Sequence, residues 1–158
     1  MSSRQLLFAL LAVALLVAVV TDLRSRRIPD LLTYSLMGVS LAVRAGMDGL
    51  GAWDQGLLSG LIAMGLALGW FSLFALREGG LGWGDVKLAG GVGAALGLPL
   101  VVAAVIGISL AGALQAVVSL IWQADSSATV RQPKKHIPYG VAIALGSLGA
   151  MWWDGNAF

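Results

Sequence analysis

The 158-residue chain is 58% hydrophobic and 11% charged, where soluble domains are about a quarter charged, and it carries a net charge of +2 with no cysteine. This is a membrane-protein composition, and it excludes a disulfide scaffold, a thiolate nucleophile and cysteine-ligated zinc. So mild a positive charge gives no reason to expect nucleic acid as a partner, and with His136 the single histidine, neither a metal centre nor another cofactor is expected.

The first apolar run, residues 6–22, follows a short start holding Arg4. No small-x-small cleavage site follows it and the chain stays apolar afterwards, so it reads as a first transmembrane helix rather than a signal peptide. Asp22 closes this run. A short basic turn with Arg24, Arg26 and Arg27 leads through Ile28-Pro29 to Asp30, which stands where an N-cap would, ahead of a second helix over residues 31–47 with Arg44 placed to snorkel from its far end. Residues 48–55 form a polar connection with Asp48, Asp54 and the interfacial Trp53, and residues 56–76 are a charge-free third span.

The polar stretch 77–85 ends in Gly82-Trp83-Gly84-Asp85, and Lys87 follows. From there to Asp125 no charge appears, which is far longer than the roughly 20 residues one span needs. Gly97 and Pro99 mark a turn that divides it into a fourth helix over 86–97 and a fifth over 99–122. The loop 124–136 and a sixth helix over 137–153 complete a single all-α domain over 1–158, a bundle of six transmembrane helices. This places eight of the ten basic residues on one side, with Arg4 and Arg44 opposite, so the basic side is cytoplasmic and both termini face out. Small residues at four-residue spacing, among them Gly56 and Gly60, Gly65 and Gly69, Gly93 and Gly97, Gly107 and Ala111, and Ala142 and Gly146, predict close helix packing.

Two carboxylates stand out because an ionisable group at a bilayer boundary is costly and by default functional. Asp22 lies at the cytoplasmic end of the first helix and Asp85 at the cytoplasmic start of the fourth. From Val86 to Gly97 the fourth helix covers about 18 Å, well short of a hydrocarbon core of about 30 Å, which puts Asp85 below the membrane surface in a wet recess. The flanking glycines suit irregular backbone and close approach there. From position alone Asp85 fits an N-cap equally well, and Asp22 an interfacial charge paired with Arg24 or Arg26. Two carboxylates sharing a pocket cannot both ionise cheaply, so one would hold a proton while the other activates water; helix polarity favours charge on Asp85 and the proton on Asp22.

Asp22-Leu23-Arg24 with Ile28-Pro29, Gly82-Trp83-Gly84-Asp85-Val86-Lys87-Leu88, and Lys135-His136-Ile137-Pro138-Tyr139-Gly140 together resemble, in this order, the three motifs of the type IV prepilin peptidases, intramembrane aspartyl proteases with a Gly-x-Gly-Asp motif. The resemblance implies catalytic Asp22 and Asp85, with Gly82, Gly84, Lys87 and Pro138 as motif or substrate-binding positions. It implies a Gly-x-Gly-Asp protease core that removes the leader peptide of pilin precursors at the cytoplasmic face of the inner membrane. The larger members carry a cysteine-rich insertion after the first helix and methylate the new N-terminus. Here only a short turn follows Asp22, so a peptidase-only form is expected, as in Flp-type adherence pili; preflagellin peptidases share the motifs. The prepilin and the lipid bilayer are the implied partners, and the oligomeric state is left open. The alternative from another class is a carrier or proton-conducting subunit using the same two aspartates, which the lack of an internal repeat disfavours.

Overall fold

The computed structural model describes residues 2–25, 27–51, 55–77, 81–124 and 139–154. Among them the chain is all-helical, with α1 Ser3–Ser25, α2 Asp30–Met47, α3 Gly56–Ala75, α4 Trp83–Leu96, α5 Leu98–Ala124 and α6 Tyr139–Trp153. Helices α1 and α3, and α5 over Leu98–Ile121, are long and apolar enough to cross a membrane; α6 is a shorter apolar helix. Large apolar side chains such as Val13, Leu16, Leu66, Leu73, Ile106 and Leu110 face outward, a surface suited to acyl chains and not to water.

Direction alternates along the bundle. The start of α1 meets the end of α6 through Arg4 and Asp154, 2.8 Å apart, while the start of α2 meets the start of α4 through Asp30 and Lys87. The end of α2 reaches the end of α4 through Arg44. Helix α1 buries Leu7, Phe8, Leu11, Ala14, Leu15, Ala18 and Asp22, one stripe at helical spacing that carries the carboxylate into the core with the apolar residues before it.

Helix α4 sits at the centre. Eleven of its fourteen residues are buried, and it packs chiefly on α3 and α2. Its small residues let neighbouring backbones close in: a Cβ on Gly93 would lie 2.5 Å from the Ala63 carbonyl oxygen of α3, and one on Gly91 would lie 2.7 Å from a Leu36 methyl of α2. The expected small-residue packing also holds where α5 crosses α6, since Gly107 would bring a Cβ to 3.1 Å of Gly146 Cα. It does not hold at Gly65 and Gly69, whose added Cβ would meet nothing within 4 Å.

The turn between α4 and α5 falls where Gly97 and Pro99 predict it. Gly97 adopts φ 78° and ψ 177°, a region open essentially to glycine alone, and Pro99 occupies the first turn of α5, where its missing N–H costs nothing. Three side-chain bonds fix this turn. Arg44, only 8% exposed, donates from Nε to the Ala94 carbonyl and from a terminal nitrogen to the Ala95 carbonyl, both at 2.9 Å, and the Leu98 N–H donates to Ser59 Oγ at 2.9 Å. Arg44 therefore does not snorkel. It caps carbonyls at the end of a central helix that water does not reach.

Other boundaries also shift. Helix α1 runs to Ser25, so Asp22 lies within its last turn instead of closing the helix. The N-cap of α2 is Pro29, whose carbonyl accepts from the Leu32 and Thr33 amides, and Asp30 is the first helical residue. Helix α4 begins at Trp83, three residues before expectation, which makes the Gly-x-Gly-Asp stretch its N-cap and first turn. Asp54, Trp53, Arg26, Asp125 and the basic loop residues Arg131, Lys134, Lys135 and His136 lie outside the described residues.

Replacing Arg44 by Met would strand two buried carbonyls, at a cost of about 2 kcal/mol or more. Thermal unfolding of detergent-solubilised Arg44→Met should show a clearly lower midpoint than the parent; an unchanged midpoint would remove the capping role.

Candidate active site

Asp22 and Asp85 are among the few buried charged residues, 4% and 5% exposed. Asp22 reaches its place because α1 is an uninterrupted apolar helix whose buried stripe continues one turn beyond Ala18. Its Oδ2 accepts the Gly140 N–H at 2.9 Å, across 118 residues of sequence. Asp85 is held by the first turn of α4, where Gly82 is the N-cap and the Asp85 amide donates to the Gly82 carbonyl at 3.0 Å. Asp85 is thus the third residue inside the helix and not its N-cap.

Gly140, at the start of α6, bonds Asp22, and α4, which carries Asp85, also packs on α6. Ile28, from the turn after α1, closes the same end against α4: it is buried in the main apolar cluster, and a Cβ on Gly84 would stand 3.4 Å from Ile28 Cβ.

Neither motif glycine uses irregular backbone. Gly82 has ordinary extended angles, φ −68° and ψ 143°, and Gly84 is helical. What they supply is proximity. A Cβ on Gly82 would lie 3.1 Å from Asp85 Oδ2, tighter than most real contacts, whereas Gly84 has room for a methyl group.

Lys87 engages α2. Its Nζ donates to Asp30 Oδ1 at 2.7 Å and stands 5.0 Å from the centre of the Tyr34 ring. Asp30 is accordingly an interhelix partner as well as a first-turn acid. Pro138 lies outside the described residues. The N-terminus of α6 meets the last turn of α1 through the Gly140 bond to Asp22. A cavity of about 170 Å³ lies at the opposite end of the bundle, lined by Phe8, Arg44, Asp48, Gln55, Leu96 and Pro99 among others, and touches neither carboxylate.

A sequence model of the type IV leader peptidase family matches residues 9–117, which is more than half of the chain and includes both carboxylates. The chain belongs to the type IV leader peptidase family. It is similar to a prepilin leader peptidase/N-methyltransferase of Pectobacterium carotovorum subsp. carotovorum, with 31% identity over 143 residues, 89% of this chain and 49% of the relative. It is also similar to a prepilin leader peptidase/N-methyltransferase of Bacillus subtilis (strain 168), with 32% identity over 150 residues, 92% of this chain and 55% of the relative. The chain thus spans about half the length of the curated relatives it matches. No solved structure matches it.

Two residues at this site escape a reading of side-chain types. Gly140 acts through its backbone, and Tyr139 through a position against Gly112 of α5 that only the fold creates. The available signal was the Tyr-Gly pair directly after the Ile-Pro element, at the start of a helix whose first amides have no partner within it.

With side chains 27% and 63% exposed, the Lys87–Asp30 pair is screened by solvent and contributes little. A double-mutant cycle of Lys87→Met and Asp30→Asn should return a correspondingly small coupling, and both variants should retain the parental activity. Loss of activity in Lys87→Met alone would return Lys87 to substrate binding.

Proposed function

We propose that the chain is an intramembrane aspartyl endopeptidase that removes the leader peptide from type IV prepilins, of the Flp kind, at the cytoplasmic membrane face, without methylating the product. The observation that carries this reading is the burial of Asp22 and Asp85 from two different helices, Asp22 bonded to the start of α6 and Asp85 in the first turn of α4. All six helices are taken as crossing the membrane, with Asp22, Asp85, Gly82 and Gly84 at the cytoplasmic end and both termini outside. The short α4 is compatible with this because protein and not lipid surrounds it, which relaxes the length a lipid-exposed span requires. The eight-to-two split of basic residues supports the orientation.

Depth supports the chemistry. The Tyr139 hydroxyl lies against Gly112 of α5, and α5 continues from there to Ala124, about 18 Å farther. The Asp22 carboxylate, bonded to the adjoining Gly140, is thus recessed from that end of the bundle. Hydrolysis by such a pair uses one carboxyl group ionised and the other protonated. The ionised one takes a proton from water as the oxygen attacks the scissile carbonyl, and the protonated one donates to the developing oxyanion. Collapse of the tetrahedral intermediate passes a proton to the leaving amine, so one water is consumed and the pair returns to its singly protonated state. The peptidase-only form rests on the chain's lack of cysteine and on the short turn between Asp22 and α2.

Asp22→Asn and Asp85→Asn should each abolish cleavage of a prepilin, and the double variant should be hardly worse, because groups acting as a unit are non-additive. Thermal stability in detergent should equal or exceed the parent's, since each change removes a buried charge. With labelled S-adenosylmethionine in the same reaction, the parent should shorten the precursor and transfer no label. Near-parental cleavage by Asp85→Asn would end the aspartyl protease reading.

A further inference from the structure

The start of α6 stands against the Asp22 carboxylate. The Gly140 amide is one of the N-terminal donors that a helix cannot satisfy internally, and here it donates to Asp22 Oδ2 at 2.9 Å in a buried setting. A Cβ at position 140 would lie 2.8 Å from the same oxygen and 3.2 Å from Asp22 Cβ. Any side chain at position 140 would press on the Asp22 side chain, whose carboxylate would have to turn or shift to relieve the contact. Tyr139 packs against the main apolar cluster, and its ring and hydroxyl fill the place that a Cβ on Gly112 of α5 would take. Gly112 thus lets the phenol lie against α5 at the start of α6. Gly149, farther along α6, has open space where its Cβ would be, so a glycine at 140 is not a general need of that helix.

We propose that Tyr139-Gly140, given room by Gly112, is the positioning element of the Asp22 carboxylate: Gly140 fixes its rotamer through the backbone amide, and Tyr139, seated on Gly112, fixes the start of α6 that carries this amide. The proposal rests on the aspartyl protease reading and adds to it the device that holds one of its two carboxylates in place. Gly140 and Tyr139 act through Asp22, so they are positioning residues.

The proposal has a kinetic and a spectroscopic test, both on the full chain. Displacing a reacting group by about an ångström costs about 10²-fold in rate. Gly140→Ala should therefore lower kcat by about that factor, with kcat/KM falling in parallel. Gly112→Ala should act in the same sense by displacing the phenol, Tyr139→Phe should lower kcat less, and Gly149→Ala should keep parental kinetics. The chain has two tyrosines, and only Tyr139 precedes a glycine. Labelling with carbonyl-enriched tyrosine and nitrogen-enriched glycine therefore isolates the Gly140 amide resonance. It should lie downfield and move strongly on Asp22→Ala, and less on Asp85→Ala. This measurement does not require Gly140→Ala to fold. An amide resonance indifferent to Asp22→Ala, or parental kcat in Gly140→Ala while Asp22→Asn is inactive, would overturn the positioning role and leave the peptidase reading standing. Activity in Asp22→Asn would instead overturn the peptidase reading.

Discussion

The enclosure of α4 by the other helices is the constraint on which the rest of the structure depends. A fourteen-residue helix is too short to span a bilayer on its own, and it exists at the bundle centre because neighbouring helices cover eleven of its residues. Enclosure demands small residues, hence Gly90, Gly91 and Gly93 against α2 and α3. It also demands that the carbonyls at its far end be satisfied without water, hence the buried Arg44. At the near end the same enclosure carries Asp85 into an apolar setting that a surface helix would not provide. A fixed far end and a fixed near end set the depth of the carboxylate.

Much of this was legible in the sequence because apolar runs, charge gaps and glycine-proline punctuation are local. Six helices follow from them, and the Gly97 turn falls between α4 and α5 as expected. Asp22 and Asp85 could be singled out because a carboxylate beside an apolar run carries an unfavourable transfer energy that demands a reason. The features that were not legible are pairings between distant segments. Arg44 reads as a snorkelling residue until α4 is known to end beside it, 50 residues later. Lys87 reads as a motif residue, and its pairing with Asp30 at 2.7 Å, 57 residues away, is not visible in that motif. The amide of Gly140 belongs to no side-chain pattern at all.

Family membership and geometry constrain different parts of the account. The match over residues 9–117 covers both carboxylates and favours an enzyme over a carrier, yet it ends before Tyr139 and Gly140. The geometry adds α6 to the site through the Gly140 bond to Asp22. The relatives it matches are about twice as long and are named for two activities. The shared half contains α1 and α4, the helices that carry the two buried aspartates.

The central claim is that Asp22 of α1 and Asp85 of α4 form one site. Because the chain has no cysteine, Asp22→Cys with Asp85→Cys introduces the only thiols, and a short bis-alkylating reagent can be applied to the protein in native membranes. The account predicts an efficient intramolecular cross-link for this pair, and none when Asp22→Cys is combined with a cysteine at Leu96 at the opposite end of α4. If both thiols of the 22/85 pair react singly and no cross-link forms, the two carboxylates do not share a site.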